Sequence, residues 1–203
     1  MNLTAIIDYE EVRLRHFLDA LTITLALKPS GSNDDSRIID VGSGAGIPGF
    51  PLKILMPNIR LVLLEAIAKK SVFLNHIKDI LRLDDVEVRV GRAEDIARLT
   101  EYRESFDIVL VRAVAPLATL VELTLPFLAI DGRLIAQKKG EIDDEIILAG
   151  GAISKLGGQL REVTEINLDE LPDHRRLVVI DKVTGTPEHY PRRPGVPAKR
   201  PIL

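Results

Sequence analysis

The stretch Ile39-Asp-Val-Gly-Ser-Gly-Ala-Gly-Ile-Pro-Gly-Phe-Pro51 holds four glycines and two prolines and directly follows a short apolar run. From Gly44 it matches Gly-x-Gly-x-x-Gly, which is typical of dinucleotide-binding turns, and from Asp40 it matches Asp-x-Gly-x-Gly-x-Gly, which is typical of S-adenosylmethionine-binding turns. In both, glycines let the backbone approach the ligand and a helix N-terminus offers unpaired N–H groups. The turn therefore predicts an adenosine-bearing ligand, but it does not decide between a dinucleotide and S-adenosylmethionine.

The rest of the chain alternates short apolar runs with helical periodicity. The predicted parallel strands are Arg37–Val41, Arg60–Glu65, Val86–Val90, Phe106–Val111 and Arg133–Gln137. The predicted helices are Gly46–Leu55, Lys69–Leu81, Glu94–Leu99, Pro116–Leu128 and Asp143–Leu156. Two further runs, Leu160–Leu168 and Arg176–Val183, have no helix between them and predict an antiparallel pair. We expect a Rossmann-like α/β fold with a mostly parallel seven-stranded sheet and helices on both faces.

Three features favour S-adenosylmethionine over NAD. Asp40 stands at the end of the first strand, where a carboxylate can fix the loop and face the ammonium group of the methionine. Glu94 follows the third strand, where an adenine edge would lie, and the antiparallel pair is typical of class I methyltransferases. Glu65 can bind the ribose in either case. Asp40 as a loop cap and Glu94 as a helix N-terminal carboxylate remain the simpler alternatives.

Composition limits the chemistry further. The chain has no cysteine, which excludes thiolate nucleophiles and thiolate zinc sites, and its four histidines lack ligand spacing, so we expect no metal. No apolar run reaches the roughly 18 residues that span a bilayer. We therefore expect a cytoplasmic protein without a membrane partner, and a monomer.

Charge is distributed unevenly along the 203 residues. From Arg175 onward there are seven basic and two acidic residues, a net charge of +5, which leaves −8 for residues 1–174 within the total of −3. This asymmetry is typical of a surface that binds a polyanion.

The fourth strand bears on the methylated atom. It ends in Val111-Arg112-Ala113-Val114, without the Asn/Asp-Pro-Pro-aromatic motif that grips exocyclic amines. Carbon methylation by the thiolate route is excluded too. A ring nitrogen with a free lone pair, such as guanine N7, needs positioning more than proton removal. Arg112 is the candidate for that positioning, by contact with phosphate or guanine O6, and no other catalytic residue is identified.

A family resemblance extends over nearly the whole chain. Asp40-Val-Gly-Ser-Gly-Ala-Gly-Ile-Pro-Gly-Phe-Pro51 resembles the signature of the glucose-inhibited division protein B family, the bacterial 16S rRNA guanine-N7 methyltransferases. The other matching motifs are Asn2-Leu-Thr, Arg15-His16-x-Leu-Asp19, Arg92-Ala-Glu94, Val111-Arg112-Ala113, Lys139-Gly140 and Tyr190-Pro-Arg-Arg-Pro-Gly-Val-Pro197. The resemblance implies a guanine in the decoding-region loop of 16S rRNA as substrate, presented as free rRNA or in the small ribosomal subunit.

The resemblance also implies roles for individual residues. Together with the loop, it predicts a cofactor site of Asp40, Gly42, Ser43, Gly44, Gly46, Ile47, Glu65, Ala66, Ala93, Glu94 and Arg112. The residues expected to face the RNA or the mouth of the site are Asn2, Arg15, His16, Arg92, Lys139, Arg192 and Arg193. Surface placement without a ligand remains the alternative for each of these RNA-facing residues.

Three segments follow from this interpretation. Residues 1–30 form an N-terminal helical segment, which is shorter than in the family, where several dozen more residues precede Asn-Leu-Thr. Residues 31–184 form the methyltransferase domain, and residues 185–203, with five prolines, form a basic and extended tail. The alternatives are an NAD-binding oxidoreductase, a methyltransferase acting on a small molecule or protein, and a non-catalytic RNA-binding module.

Overall fold

In the computed structural model, residues 6, 8–27, 35–112 and 115–203 are described. They contain a seven-stranded sheet of order β3-β2-β1-β4-β5-β7-β6. The strands are β1 (Arg37–Val41), β2 (Arg60–Glu65), β3 (Val86–Val90), β4 (Phe106–Arg112), β5 (Leu128–Lys139), β6 (Gly158–Ile166) and β7 (Arg175–Lys182). Strands β1 to β5 pair in parallel, and β7 is antiparallel to both β5 and β6. The predicted Rossmann-like sheet with its terminal antiparallel pair is confirmed.

The described residues also form eight α-helices, which connect and flank these strands. They are α1 (Tyr9–Val12), α2 (Asp19–Leu21), α3 (Gly49–Leu55), α4 (Ala68–Ile80), α5 (Ala93–Ile96), α6 (Leu117–Thr124), α7 (Asp143–Lys155) and α8 (Val196–Lys199). A π-helical stretch, Arg13–Leu18, joins α1 to α2, and a 3₁₀ stretch, Thr22–Ala26, follows α2, so that residues 9–26 form one helical segment.

The sheet is covered on both faces, so its central strands are almost entirely apolar. In β1, Ile39 and Val41 contribute to one core cluster with residues of α5, α6 and α7, while Ile38 contributes to the other with residues of α3 and α4. Ile23 and Ala26 of the N-terminal helical segment belong to this second cluster. Such burial on both faces is what parallel strands require.

The observed helices differ in bounds from the predicted ones, and for two of them the reason is local backbone chemistry. The helix predicted from Gly46 begins at Gly49, because Gly42, Gly44 and Gly46 all have positive φ and continue the turn. The helix predicted to reach Leu128 ends at Thr124, and a 3₁₀ turn follows it. Pro126 lies in that turn and has no N–H for the next helical hydrogen bond.

The prediction of an extended tail is wrong. Residues 185–203 fold back on the domain, with Tyr190 and Ile202 buried in the core cluster that includes α6 and α7. Arg192 forms an ion pair with Glu122 of α6, whose side chain is fully buried. A buried carboxylate needs a partner of opposite charge, and the tail provides it.

Candidate functional site: a glycine-lined cleft beside a cluster of charged residues

The glycine loop between β1 and α3 adopts a backbone conformation that residues with side chains rarely adopt. Gly42, Gly44 and Gly46 have φ of +77°, +58° and +80°. A Cβ on Gly46 would lie 2.2 Å from Cδ2 of Phe50, whereas one on Gly44 would have its nearest neighbour 3.9 Å away. Gly46 is therefore needed for packing, while Gly44 leaves open space above the loop.

Asp40 anchors this loop from below. Its Oδ2 accepts a hydrogen bond from the Gly49 N–H at 3.0 Å, and its backbone carbonyl accepts one from Ser43 Oγ at 2.8 Å. Burial raises the pKa of the Asp40 carboxyl to about 7, and the nearby Glu65 carboxylate acts in the same direction. Asp40 therefore accepts a hydrogen bond from the first residue of α3, and a positive charge placed nearby would favour its ionised form.

Glu65 stands at the end of β2, directly across from the loop. Its Oε2 accepts from the Gly44 N–H at 3.0 Å and its Oε1 accepts from the Ile67 N–H at 2.9 Å. Each carboxylate oxygen has further lone pairs beyond these contacts. The side chain is therefore held in place with acceptor capacity left for hydroxyl groups.

A cavity of about 110 Å³ opens beside the loop at the ends of β1, β2 and β3. It is lined by Val41, Gly42, Leu64, Ala66, Gly91, Arg92, Ala93, Glu94 and Leu123. Glu94 is buried, and its Oε1 accepts a hydrogen bond from the Gly195 N–H at 3.0 Å. The cavity thus combines apolar walls with one oriented carboxylate, and the fold brings together four of the predicted cofactor residues: Gly42, Ala66, Ala93 and Glu94.

A cluster of charged residues lies at the ends of β4 and β5 and the start of β7. Arg112 Nη1 is 3.2 Å from Oδ2 of Asp19, and Arg112 Nη2 is 3.5 Å from Nδ1 of His16. Burial raises the pKa of Asp19 despite the opposing charges of Arg112 and Arg175. Burial and the Arg112 charge lower the pKa of His16, which favours its neutral form at pH 7.

Asp173 extends the cluster away from the cavity. Lys139 Nζ is 2.9 Å from Oδ2 of Asp173, and Arg175 Nε is 3.0 Å from its Oδ1. Burial raises the pKa of Asp173, but the Lys139 hydrogen bond and the Arg175 charge outweigh it and hold the pKa below its usual value. Sequence reasoning missed Asp173 and Arg175, since their roles depend on the antiparallel return of β7.

The remaining RNA-facing predictions fall in different places. Arg15 lies near Glu11 at 3.6 Å on the exposed side of the N-terminal helical segment, and Arg92 and Arg193 are exposed. Arg192 is occupied by Glu122, so the prediction that it faces RNA is corrected: its guanidinium bonds within the protein. Asn2 lies outside the described residues.

Two kinds of feature are absent from the described part of the chain. Among the described residues, no group of three or more His, Asp or Glu side chains is arranged to hold a metal ion. No described helix combines the length and apolar character that crossing a bilayer requires.

Comparison with known sequences identifies the family. The model of the family described as "GidB: rRNA small subunit methyltransferase G" matches residues 1–176. A protein of Dehalococcoides mccartyi named "Ribosomal RNA small subunit methyltransferase G" is 50% identical over 203 residues, covering 100% of this chain and 85% of the relative. A Roseiflexus castenholzii protein of the same name is also 50% identical, with the same coverage.

Solved structures show the fold at much lower identity. The M. jannaschii protein TYW2 in complex with AdoMet aligns with a TM-score of 0.63 at 17% identity, over 89% of this chain and 80% of that chain. The geranyl diphosphate C-methyltransferase of Streptomyces coelicolor A3(2) aligns with a TM-score of 0.63 at 15% identity, over 82% and 79%. Both share the class I methyltransferase fold.

Proposed function

Since the chain belongs to the GidB family of rRNA small subunit methyltransferases, we propose that it transfers a methyl group to guanine N7 in the decoding-region loop of 16S rRNA. The chain is an rRNA methyltransferase, because relatives named "Ribosomal RNA small subunit methyltransferase G" match its full length at 50% identity. Its family and its class I methyltransferase fold make it S-adenosylmethionine-dependent. The single observation that supports this site for the reaction is that the cofactor cavity lies next to the charged cluster. The cavity beside the glycine loop and the cluster of charged residues around Arg112 both lie at the carboxyl end of the parallel strands, where α/β folds bind ligands.

The cofactor fits the cleft residue by residue. Gly44 leaves the backbone open, Glu65 has spare acceptor capacity for ribose hydroxyls, and the cavity next to Glu94 offers apolar walls and a carboxylate for an adenine amino group. Asp40 would face the methionine ammonium, whose positive charge favours the ionised carboxylate. S-adenosylmethionine supplies an electrophilic methyl group there. The other cofactor residues in this proposal are Ser43, Gly46, Ile47, Ala66 and Ala93.

The charged cluster supports a nucleic-acid substrate. Arg112 lies at its inner edge next to the cleft, while Lys139 is exposed at its outer edge. An arginine can donate to guanine O6 and to phosphate, which would orient the base without covering its N7 lone pair. Because that nitrogen needs no deprotonation, alignment supplies most of the rate enhancement. Asn2, Arg15, His16, Arg92 and Arg193 complete the proposed RNA-facing set.

The NAD-binding alternative is not supported by the fold. A dinucleotide domain continues its sheet in parallel after the fifth strand, whereas β7 pairs antiparallel with β5. The solved structures that share this sheet include a methyltransferase bound to S-adenosyl-L-homocysteine. We further propose that residues 31–184 form the catalytic unit and that the protein acts as a monomer in the cytoplasm, on rRNA or the small subunit.

Calorimetry and methyl-transfer assays test this function. We expect the chain to bind S-adenosylhomocysteine and not NAD. With labelled methyl donor, naked 16S rRNA and small-subunit particles are compared with free guanosine, and transfer should be confined to the RNA or the particle. Equal transfer to all three would remove the claim of a specific rRNA substrate.

A further inference from the structure

The C-terminal segment crosses the two helices that border the cofactor cavity. We use the name C-terminal clip for residues 189–200. On the α6 side, Arg192 donates to Glu122 through its backbone N–H at 2.8 Å and through Nε at 2.9 Å. The Glu122 side chain is fully buried, and its neighbour Leu123 lines the cavity. The clip therefore holds α6 through the residue next to a cavity wall.

A second set of contacts attaches the clip to the turn after α5 and, at another point, to α6. Arg98 Nη2 donates to the carbonyl of His189 at 3.1 Å and also to that of Pro191. Thr119 Oγ1 on α6 donates to the carbonyl of Pro197 at 3.2 Å. These bonds join positions more than 70 residues apart in sequence. The clip thus connects α5 and α6 across the cavity.

Between these attachments, the clip donates one backbone N–H to Glu94, a residue that lines the cavity. Gly195 has a φ of +80°, and its N–H donates to Oε1 of Glu94 at 3.0 Å. The Val196 N–H donates to the Arg193 carbonyl at 3.0 Å, which closes the turn that contains Gly195. The turn orients a carboxylate that lines the cavity, although Gly195 itself is not among the cavity-lining residues.

We propose that the C-terminal clip is a positioning element for the cofactor. The pair of Arg192 and Glu122 attaches the clip to α6, and the Gly195 N–H orients Glu94 for the adenine. The inference rests on the proposed cofactor role of Glu94. An oriented acceptor loses less conformational freedom on binding than a mobile one, so the clip raises cofactor affinity without contacting the cofactor. By linkage, the bound cofactor stabilises the clip by the same factor.

The test variant removes the Arg192 side-chain contacts without leaving a buried charge. Glu122→Gln/Arg192→Met keeps an amide oxygen for the Arg192 backbone N–H and eliminates both ionic groups. The matched control is Asp181→Asn/Arg133→Met, which removes an ion pair of 3.2 Å between β5 and β7. Neither Arg133 nor Asp181 lines the cavity.

Calorimetry with S-adenosylhomocysteine is performed on the full chain without RNA. The clip variant should bind about tenfold more weakly than wild type, while the control variant stays within about twofold. In methyl-transfer assays the clip variant should raise the KM for S-adenosylmethionine more than it lowers kcat. Wild-type affinity in the clip variant would overturn the inference and leave the function intact. Failure of the wild-type chain to bind would instead reject the proposed function.

Hydrogen exchange of the wild-type chain gives an answer that does not depend on how well a variant folds. S-adenosylhomocysteine should slow exchange of the Gly195 amide, because binding at Glu94 stabilises the bond that this amide donates. The amides of β6, on the far edge of the sheet, are the internal reference. Slowing in β6 equal to that at Gly195, or no slowing at Gly195, would contradict the coupling.

Discussion

The guanidinium of Arg112 donates to the carboxylate of Asp19, with Nη1 3.2 Å from Oδ2, and so joins the end of β4 to the N-terminal helical segment. Asp19 is also 3.6 Å from Arg175, and its backbone carbonyl accepts from Gln137 Nε2 at 2.6 Å. One buried residue thereby places the helical segment against three strands. His16, next to Arg112, is held at the same edge.

Asp19→Asn should impair RNA methylation more than cofactor binding. The amide cannot pair ionically with Arg112 or Arg175, so both guanidinium groups lose their fixed orientation. We expect kcat/KM for 16S rRNA to fall about tenfold, which corresponds to about 1.4 kcal/mol, while S-adenosylhomocysteine affinity changes less than about twofold. Glu10→Gln, which breaks an exposed pair with Arg13, is the control. Equal losses in both measurements would show that Asp19 acts on the fold as a whole.

Asp40 should make cofactor binding and stability depend on pH in opposite directions. Its folded-state pKa of about 7 exceeds the ordinary 3.8, so the folded chain holds more protons between these values. The free energy of unfolding should therefore fall as pH rises from about 4 to about 7, by up to about 4 kcal/mol. The positively charged cofactor binds the ionised carboxylate, so its affinity should rise towards pH 8. Asp40→Asn should flatten both curves, and pH profiles unchanged by it would exclude this assignment.

Gly46→Ala should damage the cofactor loop through packing. The added Cβ would lie 2.2 Å from the Phe50 ring, in addition to the strain of a positive φ. We expect a loss of about 2–4 kcal/mol in unfolding free energy and loss of S-adenosylhomocysteine binding. Gly140→Ala is the matched control, since Gly140 has a φ of +75° with no atom within 4 Å of its Cβ position. It should lose only about 1 kcal/mol. Similar effects of both substitutions would mean that φ strain alone explains Gly46.

Lys139→Ala should weaken RNA binding in a salt-dependent manner. The Lys139 side chain is 60% exposed at the end of β5, so it can release counterions from a phosphate. We expect the slope of log affinity against log salt to decrease by about one, with no change in cofactor affinity. Lys155→Ala at the exposed end of α7 is the control. An unchanged slope would place Lys139 outside the RNA interface.

Local sequence patterns were sufficient for strands β1 to β4 and for the glycine loop, whereas β5 begins at Leu128, five residues before its predicted start. The apolar runs of β1 to β4 and the glycines after β1 depend on burial and φ, which are properties of short segments. Glu65 is the last residue of β2, and Glu94 lies on α5, four residues after the end of β3.

Pairs distant in sequence could not be predicted in this way. Asp19 and Arg112 are 93 residues apart, and Glu122 and Arg192 are 70 apart. Periodicity identifies neither partner, because a buried carboxylate and a surface carboxylate look alike in sequence. The prolines and basic residues of the tail therefore indicated an extended RNA-binding segment. In the structure, the tail instead packs on α6, where Arg192 donates to Glu122. A charged residue at an interior position of the apolar helix α6 was the one signal available.

Methylation of one guanine N7 in 16S rRNA is tested by determining which base and which atom of the rRNA receive the methyl group. Small-subunit rRNA lacking the modification is incubated with the purified chain and labelled S-adenosylmethionine, then digested and analysed by mass spectrometry. We expect 7-methylguanine at a single guanine of the decoding-region loop, and we expect its formation to depend on Glu65 and Arg112. A methyl group on another atom or base, or no transfer by a chain that binds S-adenosylhomocysteine, would contradict it.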